Sequence, residues 1–128
     1  MRTVDVPRKD WARTLDEFSA LHEGSLVSLD VLAPSFGVQP QIRALPLRGV
    51  TAESGPGGAA IMIAAARADG EQITHLIPSP THVRIARTNE GADVALEIES
   101  EEGLAAILRF MPHGEVRSQP DRSRLRDS

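Results

Sequence analysis

Apolar side chains recur at helical spacing near the start of the chain, in VPRKDWARTLDEFSALHEG. The stripe they form consists of Trp11, Leu15, Phe18 and either Leu21 or His22. Pro7 suits the first turn of a helix, and Gly24 suits the end of one. The pattern therefore predicts one amphipathic helix of about four turns, whose apolar stripe packs against the rest of the domain.

After Gly24 the period of the apolar positions changes from about 3.6 to about 2 residues, which is typical of strands. One face of the first such run consists of Val27, Leu29 and Val31, and one face of a later run consists of Val94, Leu96 and Ile98. The links RADGEQ, TNEGAD and SEEG each contain a residue that tolerates the positive φ of a hairpin turn. We expect roughly six to seven antiparallel strands, some of them halves of one bent strand.

The segment GGAAIMIAAARADG allows two interpretations. Its alanine content favours a helix that stops at Asp-Gly. Ile61 and Ile63 alternate, however, and a hairpin-like turn precedes the next apolar run. We therefore interpret residues 59–68 as a strand, with a helix as the alternative.

The last apolar run, LAAILRF, has apolar side chains on both faces of the expected strand. Leu104, Ala106, Leu108 and Phe110 fall on one face, and Ala105 and Ile107 fall on the other. A strand of this kind is expected to be covered on both sides.

These elements predict an α+β, mainly β fold. We expect an N-terminal helix packed on a strongly curled antiparallel sheet or small β-barrel of roughly six to seven strands. Residues 1–111 form one domain in this interpretation. Residues 112–128 are polar and rich in Arg, Pro and Ser, so we expect a disordered tail.

Composition narrows the class of protein. Hydrophobic residues make up 41% of the chain and charged residues 25%, as in ordinary globular proteins. Because the chain has no cysteine, it forms no disulfide, thiolate nucleophile or cysteine-ligated zinc site. The N-terminus MRTVDVPRKDW has no apolar signal region, and no apolar run is long enough to cross a membrane. We expect a cytoplasmic protein that does not associate with membranes.

The net charge of −4 disfavours attraction to nucleic acid or to an anionic membrane. One Trp, three Phe and no Tyr leave few rings on which bases could stack. Nucleic acid is therefore not an expected partner.

Four segments resemble an uncharacterised bacterial family known as domain of unknown function 5335. They are PRKDWARTLDEFSALHEGSLVSLDVL, LPLRGVTAE, THLIPSPTHVRI and EGADVALEIESEEGLAAILRF. The resemblance covers roughly residues 5 to 111, and EGADVALEIES is its most specific part. The family has no established activity, cofactor or catalytic residue, so the resemblance implies none for this chain.

Two of the four histidines flank a Pro-Ser-Pro in THLIPSPTHVRI. Alternation places His75 with the apolar Ile73 and Ile77, and it places His82 with Arg84, facing the opposite way on an uninterrupted strand. The prolines must break the strand ladder. We interpret the segment as a bend that ends one strand and aims the next, with His75 partly buried and hydrogen-bonded.

A metal site at this bend would need a further ligand from His22, His113 or a carboxylate. The sequence shows no tight spacing of such ligands, so we predict no metal.

Six carboxylates without a basic residue among them lie in the segment from Glu90 to Glu102. Glu97 and Glu99 share a strand face, with Cα atoms about 7 Å apart, which is compatible with acid/base chemistry or with a cation. We favour a solvated face or a charge-blunted edge as the explanation of the pattern, because neighbouring glutamates in water have no reason for shifted pKa values. The remaining acidic residues form a candidate partner surface: Glu90, Asp93, Glu101 and Glu102.

No sequence motif supports catalysis. ESGPGGA lacks the lysine of a phosphate-binding loop, and no G-x-S-x-G occurs. We therefore assign no catalytic residue and no cofactor, and we lean against an enzyme.

Two functions are consistent with the sequence. The first is a non-enzymatic binding or assembly module that pairs with itself or with a protein partner through a strand edge or the acidic hairpin. Sm-like proteins share the order of helix and barrel and form rings, so by fold analogy alone we expect a homo-oligomer.

The alternative is a small-molecule or catalytic pocket at the barrel mouth under the helix. Its candidate ligand-binding residues are His75, His82, Arg84, Glu97 and Glu99.

Overall fold

The chain begins with a short strand and a helix and continues as an antiparallel sheet. The computed structural model describes residues 1–111. The tail expected over residues 112–128 lies outside the described residues. The elements are β1 (Arg2–Val6), a 3₁₀ helix (Arg8–Asp10), α1 (Trp11–His22), β2 (Leu26–Ala33), β3 (Gly37–Gly55), β4 (Gly58–Ala66), β5 (Gln72–Pro78), β6 (Pro80–Arg87), β7 (Asp93–Ser100) and β8 (Ala105–Phe110).

The predicted helix is confirmed. Its buried side chains are Trp11, Leu15 and Phe18. Leu21 is 72% exposed, so His22 rather than Leu21 continues the buried stripe. The helix ends where Gly24 adopts a positive φ of 90°. The backbone N–H of Val50 donates to Ser19 Oγ at 2.7 Å, which ties the helix to β3.

Eight strands form one sheet in the order β1-β6-β7-β8-β2-β3-β4-β5, and all the pairings are antiparallel. The strand that the sequence interpretation omits is β1, whose five residues precede the helix. Residues 59–68 fall mainly in β4, which confirms the strand interpretation of that segment. Within residues 1–111, β1 and β5 each pair with one neighbour, so the sheet is open and not a closed barrel.

One face of the sheet and the apolar stripe of α1 enclose a single core. The fully buried side chains at its centre are Leu15, Val27, Leu29, Leu47, Val50, Ile61, Ile63, Val83, Ile85, Leu96, Ile98 and Leu108. On β8, Ala106 and Leu108 point into this core, while Ala105 and Ile107 on the outer face are only partly buried. The coverage expected on both faces of β8 is therefore found on one face within the described residues.

The Pro78-Ser79-Pro80 segment is a bend, as the sequence predicts. β5 ends at Pro78, β6 begins at Pro80, and Ser79 between them has a positive φ of 51°. The Ser79 N–H donates to the carbonyl of Ala59 at 3.0 Å, and its carbonyl accepts from the N–H of Glu101 at 2.9 Å. Backbone hydrogen bonds to Ala59 and Glu101 therefore fix the bend at Ser79.

No helix within residues 1–111 is both long enough and apolar enough to cross a membrane.

A bulge in β3 forces a second non-glycine residue into the left-handed region. Leu29 of β2 pairs with Ile42, but Val27 pairs with Leu45, so β3 carries one extra residue in this interval. Ala44 lies in the bulge with a φ of 54°, and its N–H donates to Ser28 Oγ at 3.1 Å. An alanine is strained in this conformation by about 1–2 kcal/mol.

We predict that Ala44→Gly raises the free energy of unfolding by about 0.5–1 kcal/mol. The relief of left-handed strain exceeds the entropy that glycine adds to the unfolded chain. The measurement is urea denaturation followed by circular dichroism. The control is Ala20→Gly at an exposed position of α1, where the same change lowers stability by about 1 kcal/mol. Equal losses in both variants would contradict the assignment of strain to Ala44.

Candidate functional site

Arg84 joins three carboxylates on the outer face of the sheet. It lies on β6 directly opposite Asp5 of β1 and Glu97 of β7, and such cross-strand neighbours share a face. Its Nε lies 3.1 Å from Asp5 Oδ1. Its Nη1 lies 2.8 Å from Glu99 Oε2 and 3.5 Å from Glu97 Oε1. Strand register therefore brings together groups that are far apart in sequence.

The contact with Arg84 changes the titration of Glu99. The hydrogen bond from Arg84 is the main reason that the pKa of Glu99 lies below its usual range, and the charge of Arg84 and nearby His82 act in the same direction. The same hydrogen bond raises the pKa of Arg84. The expectation of unshifted glutamates is therefore wrong for Glu99. β7 lies between β6 and β8, so its acidic face is not a charge-blunted edge.

The two histidines of THLIPSPTHVRI lie apart from each other. His82 is on the outer face, where Nδ1 lies 3.4 Å from Glu99 Oε1 and 3.1 Å from Thr81 Oγ1. His75 pairs with the buried Ile63 and is half-buried on the inner face, where burial lowers its pKa. The hydrogen bond expected for the His75 ring stays a prediction.

The five candidate ligand-binding residues therefore do not line a single pocket. Four of them, His82, Arg84, Glu97 and Glu99, form a cluster on the outer face. His75 lies on the inner face of β5. Within the described residues no group of three or more His, Cys, Asp or Glu side chains could hold a metal ion.

The four residues of the candidate partner surface are also separated. Glu90 is exposed in the turn between β6 and β7, whereas Glu101 and Glu102 are exposed in the turn between β7 and β8. These turns lie at opposite ends of β7. Asp93 does not belong with them, because its side chain is only 9% exposed.

Asp93 instead forms a largely buried cluster with His22 and Arg87 that the sequence interpretation missed. Asp93 Oδ2 lies 2.7 Å from His22 Nε2, and Asp93 Oδ1 accepts a hydrogen bond from Arg87 Nε at 2.8 Å. The His22 ring packs against the rings of Phe18 and Phe110, with centroids 4.7 and 4.4 Å away. The helical stripe indicated that His22 is buried. Local spacing could not predict that its partner is Asp93 of β7, because the two residues are far apart in sequence.

Burial and hydrogen bonding shift the pKa of Asp93 in opposite directions. Burial alone raises the pKa of its carboxyl group, but the hydrogen bonds from His22 and Arg87, together with their charges, outweigh it. The pKa of Asp93 is therefore lowered from its ordinary value of 3.8. A carboxyl group with a lowered pKa stabilises the fold above its unfolded pKa, and this contribution is lost as the pH falls through the folded value.

We predict that Asp93→Asn lowers the free energy of unfolding at neutral pH by about 1–3 kcal/mol, because Asn cannot replace both charge-assisted hydrogen bonds. The difference between wild type and variant should shrink as the pH falls below the ordinary value of 3.8 and through the lowered pKa of the folded Asp93. Denaturant unfolding across pH measures both effects. Asp16→Asn on the exposed side of α1 is the control and should change stability little. A difference that stays constant with pH would contradict the assignment.

A shallow groove of about 300 Å³ lies beside the Arg84 cluster on the outer face. Its lining residues are Met1, Thr3, Arg84, Ala86, Val94, Ala95, Glu97, Ile107 and Arg109. Val94 reaches it because a bulge in β7 separates Val94 from the alternation of Leu96 and Ile98. Arg109 donates to Asp30 Oδ2 at 3.1 Å. The groove therefore combines an apolar lining with charged groups that already have partners.

Comparison with known proteins identifies the family and leaves its activity open. Searches of curated proteins and of solved structures give no match to this chain. A family model described as a family of unknown function (DUF5335) matches residues 2–119, which is most of the sequence. The resemblance seen in the sequence is thus confirmed, and the chain belongs to the family of unknown function DUF5335.

Proposed function

We propose that this protein is a non-enzymatic binding module that takes up an extended segment of a partner protein at the free edge of β5. The observation that carries the proposal is the composition of that edge. The strand Gln72–Pro78 contains no Asp, Glu, Lys or Arg, and within the described residues it pairs with β4 alone. An edge strand presents backbone N–H and C=O groups that another strand can pair with.

The β5 edge lacks the features that usually prevent such pairing. Its register with β4 is unbroken from Ala60↔Pro78 to Ala66↔Gln72, so no bulge twists the edge away. Its proline stands at the end of the strand. Leu76 on its outer side is 55% exposed. A long, uncharged and partly apolar edge favours the addition of a strand.

The opposite edge of the sheet, β1, is short and charged. β1 has five residues and carries Arg2 and Asp5. Asp5 is engaged by Arg84 of the neighbouring strand. Charges on an edge strand oppose pairing with another chain, so β1 is protected where β5 is not.

Alternation along β5 indicates the kind of segment that fits. Ile73 and His75 on the inner side are half-buried, while Thr74 and Leu76 on the outer side are exposed. An added strand with apolar side chains on one face would place them beside Ile73 and His75. It would thereby extend the buried inner face of the sheet. Burial lowers the pKa of His75 and so favours its neutral form.

The pocket hypothesis stays a prediction with less support from the geometry. It requires His75 to meet Arg84 and one of Glu97 or Glu99 under the helix, but these groups lie on different faces of the sheet. The space beneath α1 is filled by its own Trp11, Leu15 and Phe18.

We predict that Thr74→Lys abolishes the binding of extended peptides while leaving the melting temperature nearly unchanged. The lysine adds a charge to the middle of the edge, and Thr74 is exposed, so the core is unaffected. The probe is a set of short peptides selected from a random library displayed on phage, with affinity measured by calorimetry. Thr51→Lys makes the same change at an exposed position of β3, which β4 separates from β5, and should retain binding.

Hydrogen exchange locates the bound peptide. Binding should slow exchange of the outward-pointing amides of Gln72–Ile77 and leave β1 unchanged. The proposal fails if selection enriches no peptide, or if the selected peptides bind the Thr74→Lys variant as well as the wild type.

A further inference from the structure

The hairpin that joins β2 to β3 carries an exposed apolar tip. Residues 31–42, which we call the arm, read VLAPSFGVQPQI and contain no charged residue. Phe36 at the tip is 75% exposed, and Val38 is 56% exposed. The other aromatic side chains, Trp11, Phe18 and Phe110, lie in or against the core. An exposed phenylalanine on an uncharged hairpin is typical of a contact with another molecule.

The arm and the outer groove lie on the same face of the sheet. Val38 pairs with Leu32, and Leu32 pairs with Ala105 of β8. In the adjacent row Asp30 pairs with Ile107, which lines the groove. Cross-strand partners share a face, so the apolar side chains of Val38, Leu32, Ala105 and Ile107 run from the arm to the groove, beside Asp30.

The groove has the size and chemistry for an aromatic ring. An apolar cavity of about 150 Å³ accommodates benzene, and this groove measures about 300 Å³. Small side chains at Ala86 and Ala95 leave room above the sheet. Arg84 and Arg109 line it, and guanidinium groups interact favourably with aromatic faces.

We infer that two copies of this chain associate through their outer faces, with Phe36 of each copy seated in the groove of the other. Val38 of the arm lies on the same face as the groove, so a two-fold rotation that seats one Phe36 seats the other as well, and the assembly closes as a dimer. The arm brings no charge toward the partner groove. The dimer also covers the apolar outer side of β8, whose two apolar faces indicate burial on both sides.

The inference is independent of the strand-docking proposal. The groove lies between β1 and β8, whereas β5 lies at the other end of the strand order. The dimer leaves the β5 edge free.

The test uses two variants of the full chain that remove opposite halves of the contact. Phe36→Ser removes the inserted side chain, and Ala95→Leu fills the groove from the solvent side of the sheet. We expect each variant to weaken dimerisation at least tenfold in sedimentation velocity, with unchanged melting temperatures. Leu21→Ser, at an equally exposed apolar position on α1, is the matched control and should dimerise as the wild type does.

Mixing the two variants makes the test specific. A Phe36→Ser copy keeps its groove and an Ala95→Leu copy keeps its Phe36, so the mixed pair retains one insertion while either homodimer retains none. Native mass spectrometry should therefore show the heterodimer in excess over both homodimers. A purely destabilising effect of the variants would not produce this recovery.

Several results would overturn the inference. The first is a wild-type monomer at high micromolar concentration. The second is a monomer that dimerises only after residues 112–128 are deleted, which would make that segment the occupant of the groove. The third is a dimer that persists in both variants and is lost in Thr74→Lys, which would mean that two β5 edges meet.

Discussion

Burial of one sheet face and the apolar stripe of a single helix in one core is the constraint on which the rest of this structure depends. Leu15 and its neighbours on α1 meet side chains from both halves of the sheet in one core. The inner face is therefore committed to packing, and the described residues place no second layer over the outer face. Chemistry that requires solvent access or a partner is confined to the outer face, the unpaired strand edges and the turns.

The constraint explains why charged residues gather where they do. Arg84 alternates with Val83 and Ile85, whose side chains fill the core, so its guanidinium group must point outward. Glu97 alternates in the same way with Leu96 and Ile98. Antiparallel register then places these outward groups opposite one another. Such exposed ion pairs contribute little to stability individually, so their effect is mainly on the charge that the outer face presents.

Much of the local structure could be predicted from the sequence. The helical stripe of α1, the alternation in β4 and the bend at Ser79 are local patterns, set by neighbours within a few residues. What could not be predicted depends on pairing between distant segments. Asp5 meets Arg84 because β1 pairs with β6, and His22 meets Asp93 because the end of α1 reaches the start of β7. Whether the sheet closes into a barrel also depends on distant pairing, because β1 and β5 would have to pair with each other.

The strand order also determines when the domain can finish folding during synthesis. The strands from β2 to β5 follow one another in both sequence and space, so their hairpins can form as the chain emerges. β2 gains its second neighbour only when Val27 meets Phe110, and β1 gains its neighbour only when Arg2 meets Arg87. Contacts between such distant segments make folding slow. During synthesis the ribosome-bound chain therefore holds β1 without β6, and His22 at the end of α1 without Asp93, until most of the domain has been made, and the last strand closes the core.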